Sequence, residues 1–397
     1  MGLEATAEPL PLQAARKRRT REKQLILLGS RFWSWLFLVL LIICFSWQAG
    51  QQGTNFFSLR NSQVILVNIV SIVLMGLGQT FVIISGGGGI DLSVGWIMGL
   101  SSVISAKTIR DGWNAGIDPP IAILLGLATG LAVALFAGLV SGIIIAKLRV
   151  PPFIVTLGVS FVARGVGFLL AKGNIISGQP QLARDLGNES LLYHVRGDCS
   201  GVISPLSHLG GLSTLCGRWY ALEKPAVTGA QLRSLDRVIT YPVLIAAIVV
   251  AIGLFILAKT QFGRHTYAIG GSREAALRAG VPVDRHLIRL YMMSAGTSGL
   301  AGVMHAWRFS GGAADAGDAL MMMSIAAVVI GGVSMFGGEG RVIGTVIGAL
   351  ILAVLQSGLI MINVKTFYQY VVVGIIVIMA VLIDQARDLV IGRAESE

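Results

Sequence analysis

The sequence predicts an all-α fold, a polytopic transmembrane helical bundle of about ten spans. Three observations carry that prediction. The 397 residues are 54% hydrophobic and 13% charged, about half the charged share of a soluble domain. Mean hydropathy is +0.76. Glycine reaches 51 residues, roughly twice ordinary usage, and small residues let membrane helices approach closely.

A helix needs about 20 apolar residues to cross a hydrocarbon layer of ~30 Å. Windows of that kind lie near 32–48, 62–85, 92–106, 119–146, 153–171, 237–258, 287–306, 319–336, 341–359 and 366–384. The third is short, and glycines alone divide the eighth from the ninth. Before the first window stands a basic tail, residues 1–31, with Arg16-Lys17-Arg18-Arg19 at its centre. The run from Phe32 to Trp47 is longer than a signal-peptide core, and no small-x-small cleavage site follows it. It reads as an uncleaved first span. With the tail inside, eighteen Lys and Arg fall in segments on the cytosolic side and five in the short outer loops. That bias agrees with an even number of spans and both termini in the cytosol. It also accounts for the net charge of +11 without nucleic acid, since the basic residues sit where a membrane protein holds them.

The domain reading follows. Residues 32–390 form the membrane domain, interrupted by an extracytoplasmic insertion at 172–236 and a cytosolic loop at 259–286. The insertion is polar and irregular, with Pro180, Pro205 and Pro225. It carries Cys199 and Cys216, two of the three cysteines. An oxidising compartment permits a bridge between them, closing a loop worth about 3 kcal/mol in the chain-entropy model; two free thiols are the alternative.

Between the second and third windows stands Gly86-Gly-Gly-Gly-Ile-Asp91-Leu-Ser93-Val-Gly95. Four glycines interrupt a helix and leave backbone groups that lipid cannot satisfy, and Asp91 is costly against lipid. Such a segment belongs against a cavity, a partner or the cytosolic rim. Asp91 and Ser93 are candidates for the solute path; the structural alternative is a cap, with Asp91 accepting from the Ser93 and Val94 amides. Asn68 and Gln79 in the second window offer hydrogen bonds to a hydroxylated solute or to a neighbouring helix. Arg164, inside the fifth window, is either a path residue or a paired or snorkelling cation. Gly340, Gly344 and Gly348 form a small-x-x-x-small row suited to close helix packing.

The loop at 259–286 contains a short helix signal. Ser272 is a good N-cap, Arg273-Glu274-Ala275-Ala276-Leu277-Arg278-Ala279 favours helix, and Gly280 and Pro282 stop it. A helix this short does not hold itself in water, so it requires something to dock on, and a partner protein is implied.

Chemistry is sparse. No Gly-x-x-x-x-Gly-Lys-Ser/Thr phosphate loop occurs, and the glycines at 86–89 lack the lysine. No His-Glu-x-x-His occurs, the five histidines show no metal spacing, and no catalytic constellation or resident cofactor is expected.

Four segments together carry a resemblance: Gly88-Gly-Ile-Asp-Leu-Ser-Val-Gly95, Pro151-Pro-Phe-Ile-Val-Thr-Leu-Gly158, the loop from Phe262-Gly-Arg to Gly280, and Ile325-Ala-Ala-Val-Val-Ile-Gly-Gly332 followed by Gly337-Gly-Glu-Gly340. In this order and spacing the chain resembles the sugar permeases of bacterial ATP-binding-cassette importers, of the ribose, xylose and galactoside type, across roughly 60–390. The resemblance implies a type II importer permease in the inner membrane, paired with a second permease copy or homologue. It implies a cytosolic ATPase that binds ATP and Mg, and a periplasmic sugar-binding protein. It makes Ser272, Arg273, Glu274, Ala275, Ala276 and Gly280 the coupling helix that sits in a cleft of the ATPase. Ser272 replaces the family's usual Asn, Ser141-Gly142 its Asn-Gly, and Met321-Met322-Met323 its Glu-Leu. These departures bear on substrate and docking rather than on transporter class. The alternatives are a permease for a nucleoside, polyol or signalling sugar, an ion-coupled secondary transporter, or a membrane scaffold.

Overall fold

The computed structural model describes residues 34–196, 213–214, 217–221, 235–365, 367–369, 371–376, 378–379 and 382. The basic tail, Cys199 and Cys216, and the end of the chain beyond 382 lie outside them, and with them the question of the bridge.

Each of the ten apolar windows contains a helix. They are α1 (Ser34–Gln51), α2 (Leu59–Ile84), α3 (Val94–Asn114), α4 (Pro119–Lys147), α5 (Pro152–Ala171), α7 (Tyr241–Lys259), α10 (Val283–Phe309), α11 (Asp318–Ile330), α12 (Val342–Met361) and α13 (Phe367–Ile376). Three shorter helices complete the described set: α6 (Gln181–Asn188), α8 (Gln261–Gly271) and α9 (Arg273–Arg278). By length and apolarity alone, six can cross a bilayer: α1, α2, α4, α5, α7 and α12. Two of the differences between windows and helices are large. The third window ends at 106, whereas α3 continues to Asn114. The eighth runs to 336, whereas α11 stops at Ile330, where Gly331 caps it and Gly332 turns with φ +79°. At 1.5 Å per residue its 13 residues reach only about 20 Å, short of a full crossing.

Burial sorts the bundle into a centre and a rim. The hydropathic window of α2 is 78% buried, those of α4 and α5 28%, and that of α7 22%. Rim helices point large apolar side chains outward, among them Phe136, Phe161, Leu169 and Phe255, as helices facing lipid or another chain do. The centre is α2, α3 and α10. Small residues bring α3 and α10 into backbone contact: a Cβ on Gly302 would lie 2.1 Å from the Met98 carbonyl oxygen. Serines tie what lipid cannot. Ser101 donates to the Gly130 carbonyl at 2.7 Å, and Ser298 donates to the Val94 carbonyl. The row of small residues on α12 packs in the same way, since a Cβ on Gly348 would stand 1.9 Å from the Ala327 carbonyl oxygen of α11.

The insertion is not irregular throughout, and the fold is not purely helical. α6 leads into a sheet of β2 (Ser190–Arg196), β3 (Ser213–Thr214), β4 (Gly217–Ala221) and β5 (Leu235–Thr240), in the order β3-β4-β2-β5 with antiparallel neighbours. A second two-residue ladder joins β1 (Ile176–Ser177) to β6 (Gly311–Gly312). The insertion is fastened to the bundle at the C-terminal end of α10, where the Asn188 amide donates to the Arg308 carbonyl at 2.9 Å. α9 precedes the other end of α10. The molecule therefore has an insertion end and an α9 end.

Candidate functional site

At the α9 end, the glycine segment forms a tight fold rather than an open loop. Gly86, Gly87 and Gly88 all adopt positive φ, from 67° to 72°, a region that other residues enter at a cost. The Gly338 amide donates to the Ile84 carbonyl at 2.8 Å. A Cβ on Gly86 would come within 3.1 Å of Gly270 at the end of α8. Three separate stretches of backbone thus meet there: the end of α2, the end of α8 and the loop that leads into α12.

Asp91 lies beneath this meeting point and is 1% exposed. Its carboxylate accepts from the Ser93 amide at 3.0 Å, the Ser93 hydroxyl at 2.5 Å and the Ser294 hydroxyl at 2.7 Å. Gln79, 0% exposed, spans the Asp91 backbone: its Nε2 donates to the Asp91 carbonyl at 2.5 Å, and its Oε1 accepts from the Asp91 amide at 3.2 Å. The structure therefore brings Gln79, Asp91 and Ser93 together, with Ser294 of α10 as a fourth member. It binds them to one another and to backbone. The Ser93 amide takes the cap bond to Asp91, and no such bond reaches the Val94 amide.

Asn68 and Arg164 stand apart from this group. Arg164 is on the exposed face of α5, its guanidinium 4.6 Å above the Trp96 ring. Asn68 lies toward the insertion end, on the wall of a cavity of about 350 Å³ between α2, α10, α11 and α12, with Pro242 of α7 at its edge. Arg308 crosses that wall, donating to the Val67 carbonyl at 3.3 Å and to Asn68 Oδ1 at 3.1 Å. Ser71, His305 and Gln356 share the lining.

The loop between α7 and α10 folds as a projecting pair of helices. Thr260 caps α8, accepting from the Gly263 amide at 3.4 Å. Tyr267 ties α8 to the loop before α12, donating to the Gly340 carbonyl at 2.7 Å. Burial holds its phenol above the ordinary pKa, so it remains a donor. Ser272 caps α9, accepting from the Ala275 amide at 3.2 Å. Gly280 follows with φ +79°, its amide on the Leu277 carbonyl at 3.0 Å. Sequence reasoning required a partner to hold this helix. The structure supplies another support: Ala276, 4% exposed, joins an apolar cluster with Val283, Leu287 and Ile269. The Ala276 methyl group and an exposed ion pair of Arg273 with Asp284 of α10 at 3.8 Å hold α9 on its own bundle, and the side chains around Ala276 remain outward. Leu277 is 52% exposed, and Glu274 pairs with Arg278 at 2.6 Å on a face more than three-quarters exposed. Such an exposed pair contributes a few tenths of a kcal/mol. Its shape matters more than its stability: a small, rigid knob carrying one unpartnered leucine.

A protein family described as "branched-chain amino acid transport system / permease component" matches residues 61–381. The chain belongs to this family of membrane permeases. The permease is 35% identical to the ribose import permease protein of Bacillus subtilis, over 79% of this chain and 81% of that one. It is 34% identical to the xylose transport system permease protein of Haemophilus influenzae, over 89% and 96% of the two chains. It is also 34% identical to the fructose import permease protein of Rhizobium meliloti, over 84% and 80%. No solved structure matches the chain significantly.

In the permease, sequence reasoning missed Arg308, His305, Gln356 and Ser294. Arg308 falls beyond its apolar window, which ends at 306, whereas α10 runs on to Phe309. The signal was present. His305 and Arg308 recur three residues apart, on one helical face.

Proposed function

We propose that this permease is the membrane subunit of an ATP-driven importer that moves a monosaccharide by alternating access. The observation that carries the reading is similarity, over 79–89% of the chain, to permeases named for ribose, xylose and fructose transport, at 34–35% identity. The ATP, with Mg, is held and hydrolysed by a partner ATPase at the α9 end, which then faces the cytosol. Ser272, Arg273, Glu274, Ala275, Ala276 and Gly280 form the coupling helix. The geometry supports that role: α9 projects, and α8 behind it contacts the end of α2, the loop that leads into α12, and α10, so force on the knob reaches the bundle at three points. A sugar-binding protein delivers solute at the insertion end, which faces the periplasm. A second permease copy or homologue covers part of the apolar rim, lipid covers the remainder, and both termini lie in the cytosol of a bacterial cell.

Reconstitution tests this. Proteoliposomes containing the permease, its ATPase and its binding protein should take up sugar only with ATP. Uptake by the permease alone, or driven by membrane potential without ATPase, would overturn the reading in favour of a secondary transporter. Uptake of a nucleoside or polyol in place of a sugar would correct the solute alone.

A further inference from the structure

We infer that the cavity between α2, α10, α11 and α12 is a sugar-binding site within a single protomer, at the insertion end. This inference rests on the transport reading and adds a place to it. At about 350 Å³ the cavity is at the small end of ligand pockets and equals the volume of about a dozen liquid waters. That suits one sugar ring.

Its lining carries the chemistry. A sugar hydroxyl donates and accepts at once, so it is best held by side chains that also do both. Ser71 and Gln356 are of that kind. Gln356 is poorly served by its protein neighbours: its Nε2 rests on the Met323 sulfur at 3.3 Å, a weak acceptor that a hydroxyl oxygen would replace. His305 Nδ1 is buried without a partner, a state that costs stability unless a ligand relieves it. Arg308 is already turned to Val67 and Asn68, leaving further N–H groups for a ligand oxygen. The other wall is apolar, with Val70, Met304 and Leu320. Phe309 stands at the rim, its ring 4.5 Å from that of His305. An aromatic and aliphatic wall opposite a polar one matches the C–H face and hydroxyl edge of a sugar. A carboxylate or sulfate would fit worse, because its oxygens only accept and would leave the Gln356 carbonyl unserved.

Position adds a mechanical reason. Asn68 and Ser71 are on α2, and Gln356 is on α12. Those two helices are the ones held at their opposite ends by the contacts of Ile84 with Gly338 and of Tyr267 with Gly340. The α8–α9 knob is tied to α10 as well, through Thr266 and His286 at 2.9 Å, so it is linked to three of the helices that wall the cavity.

The test uses the full-length permease in nanodiscs of zwitterionic lipid, probed by saturation-transfer NMR with ribose, xylose and fructose in turn. We expect transfer to at least one sugar. Gln356→Leu, which removes the amide, and Ser71→Leu, which fills the space, should each raise the half-saturating concentration at least about tenfold, the equivalent of one hydrogen bond. Melting temperatures read in the same discs identify a variant that fails to fold; the other then decides. Absence of transfer to any sugar from the wild-type permease overturns the site, as do unchanged affinities in the folded variants. Displacement of the sugar by low millimolar orthophosphate overturns it in favour of an anion site. A permease that binds sugar here, but whose assembled transporter imports none, would sink the transport reading and leave the site standing.

Discussion

Leu277→Asp should abolish ATP-driven uptake while leaving the folded yield and melting temperature of the permease unchanged. Leu277 is 52% exposed at the tip of α9, and none of the clusters of buried side chains includes it. Its loss from an isolated permease therefore changes folding by no more than about 0.5 kcal/mol, as at other exposed sites. The proposed docked state is different. There the leucine enters a partner's cleft, and a carboxylate in its place loses water without gaining a counter-charge. Truncating a central anchor costs about 2 kcal/mol or more in binding, and a buried charge costs further. A drop in uptake well beyond tenfold is expected, together with loss of the ATPase on co-purification. Glu274→Gln, which breaks only an exposed pair with Arg278, should change stability by a few tenths of a kcal/mol.

Asp91→Leu should destabilise the bundle outright. Three donors point at that carboxylate: the Ser93 amide, the Ser93 hydroxyl and the Ser294 hydroxyl. All lie within the buried interior. Stranding buried donors costs about 1–3 kcal/mol each, so a loss of at least about 3 kcal/mol is expected, seen as a fall in melting temperature of roughly 5–10 °C in detergent. Asp91→Asn is the informative companion. Its remaining oxygen can still accept from Ser93, and its amide can donate to the Ser294 oxygen. It should lose less than half as much. If Asn were as damaging as Leu while the protein remained folded, the carboxylate would have a task beyond holding the glycine fold.

Much of this was legible in the sequence because membrane helices announce themselves by composition. All ten apolar windows contain helices, and the small helix at 273–278 falls between the cap at Ser272 and the glycine at Gly280 that local chemistry requires. Pairings between distant segments were not legible. Ser294 lies 203 residues from Asp91, and nothing in either neighbourhood marks the other. The same holds for Thr80 and Thr345, whose hydroxyls meet at 2.5 Å across α2 and α12. The sheet of the insertion was missed because its strands are short and stand among prolines and glycines, where a run such as Leu191-Leu-Tyr-His-Val195 has no length to distinguish it from loop. The cavity was missed because it is assembled from five helices. Only one of its polar residues, Asn68, stood out in a single apolar window.

The central claim is that α9 is the part of this permease that a separate ATPase grips, and photo-crosslinking tests it most directly. A benzophenone side chain at position 277, in the permease assembled with its ATPase and binding protein in nanodiscs, should crosslink to the ATPase subunit, whereas the same probe at Phe161 on the outward face of α5 should not. A complex that hydrolyses ATP and imports sugar, yet leaves the probe at 277 uncrosslinked and open to water, would contradict the account.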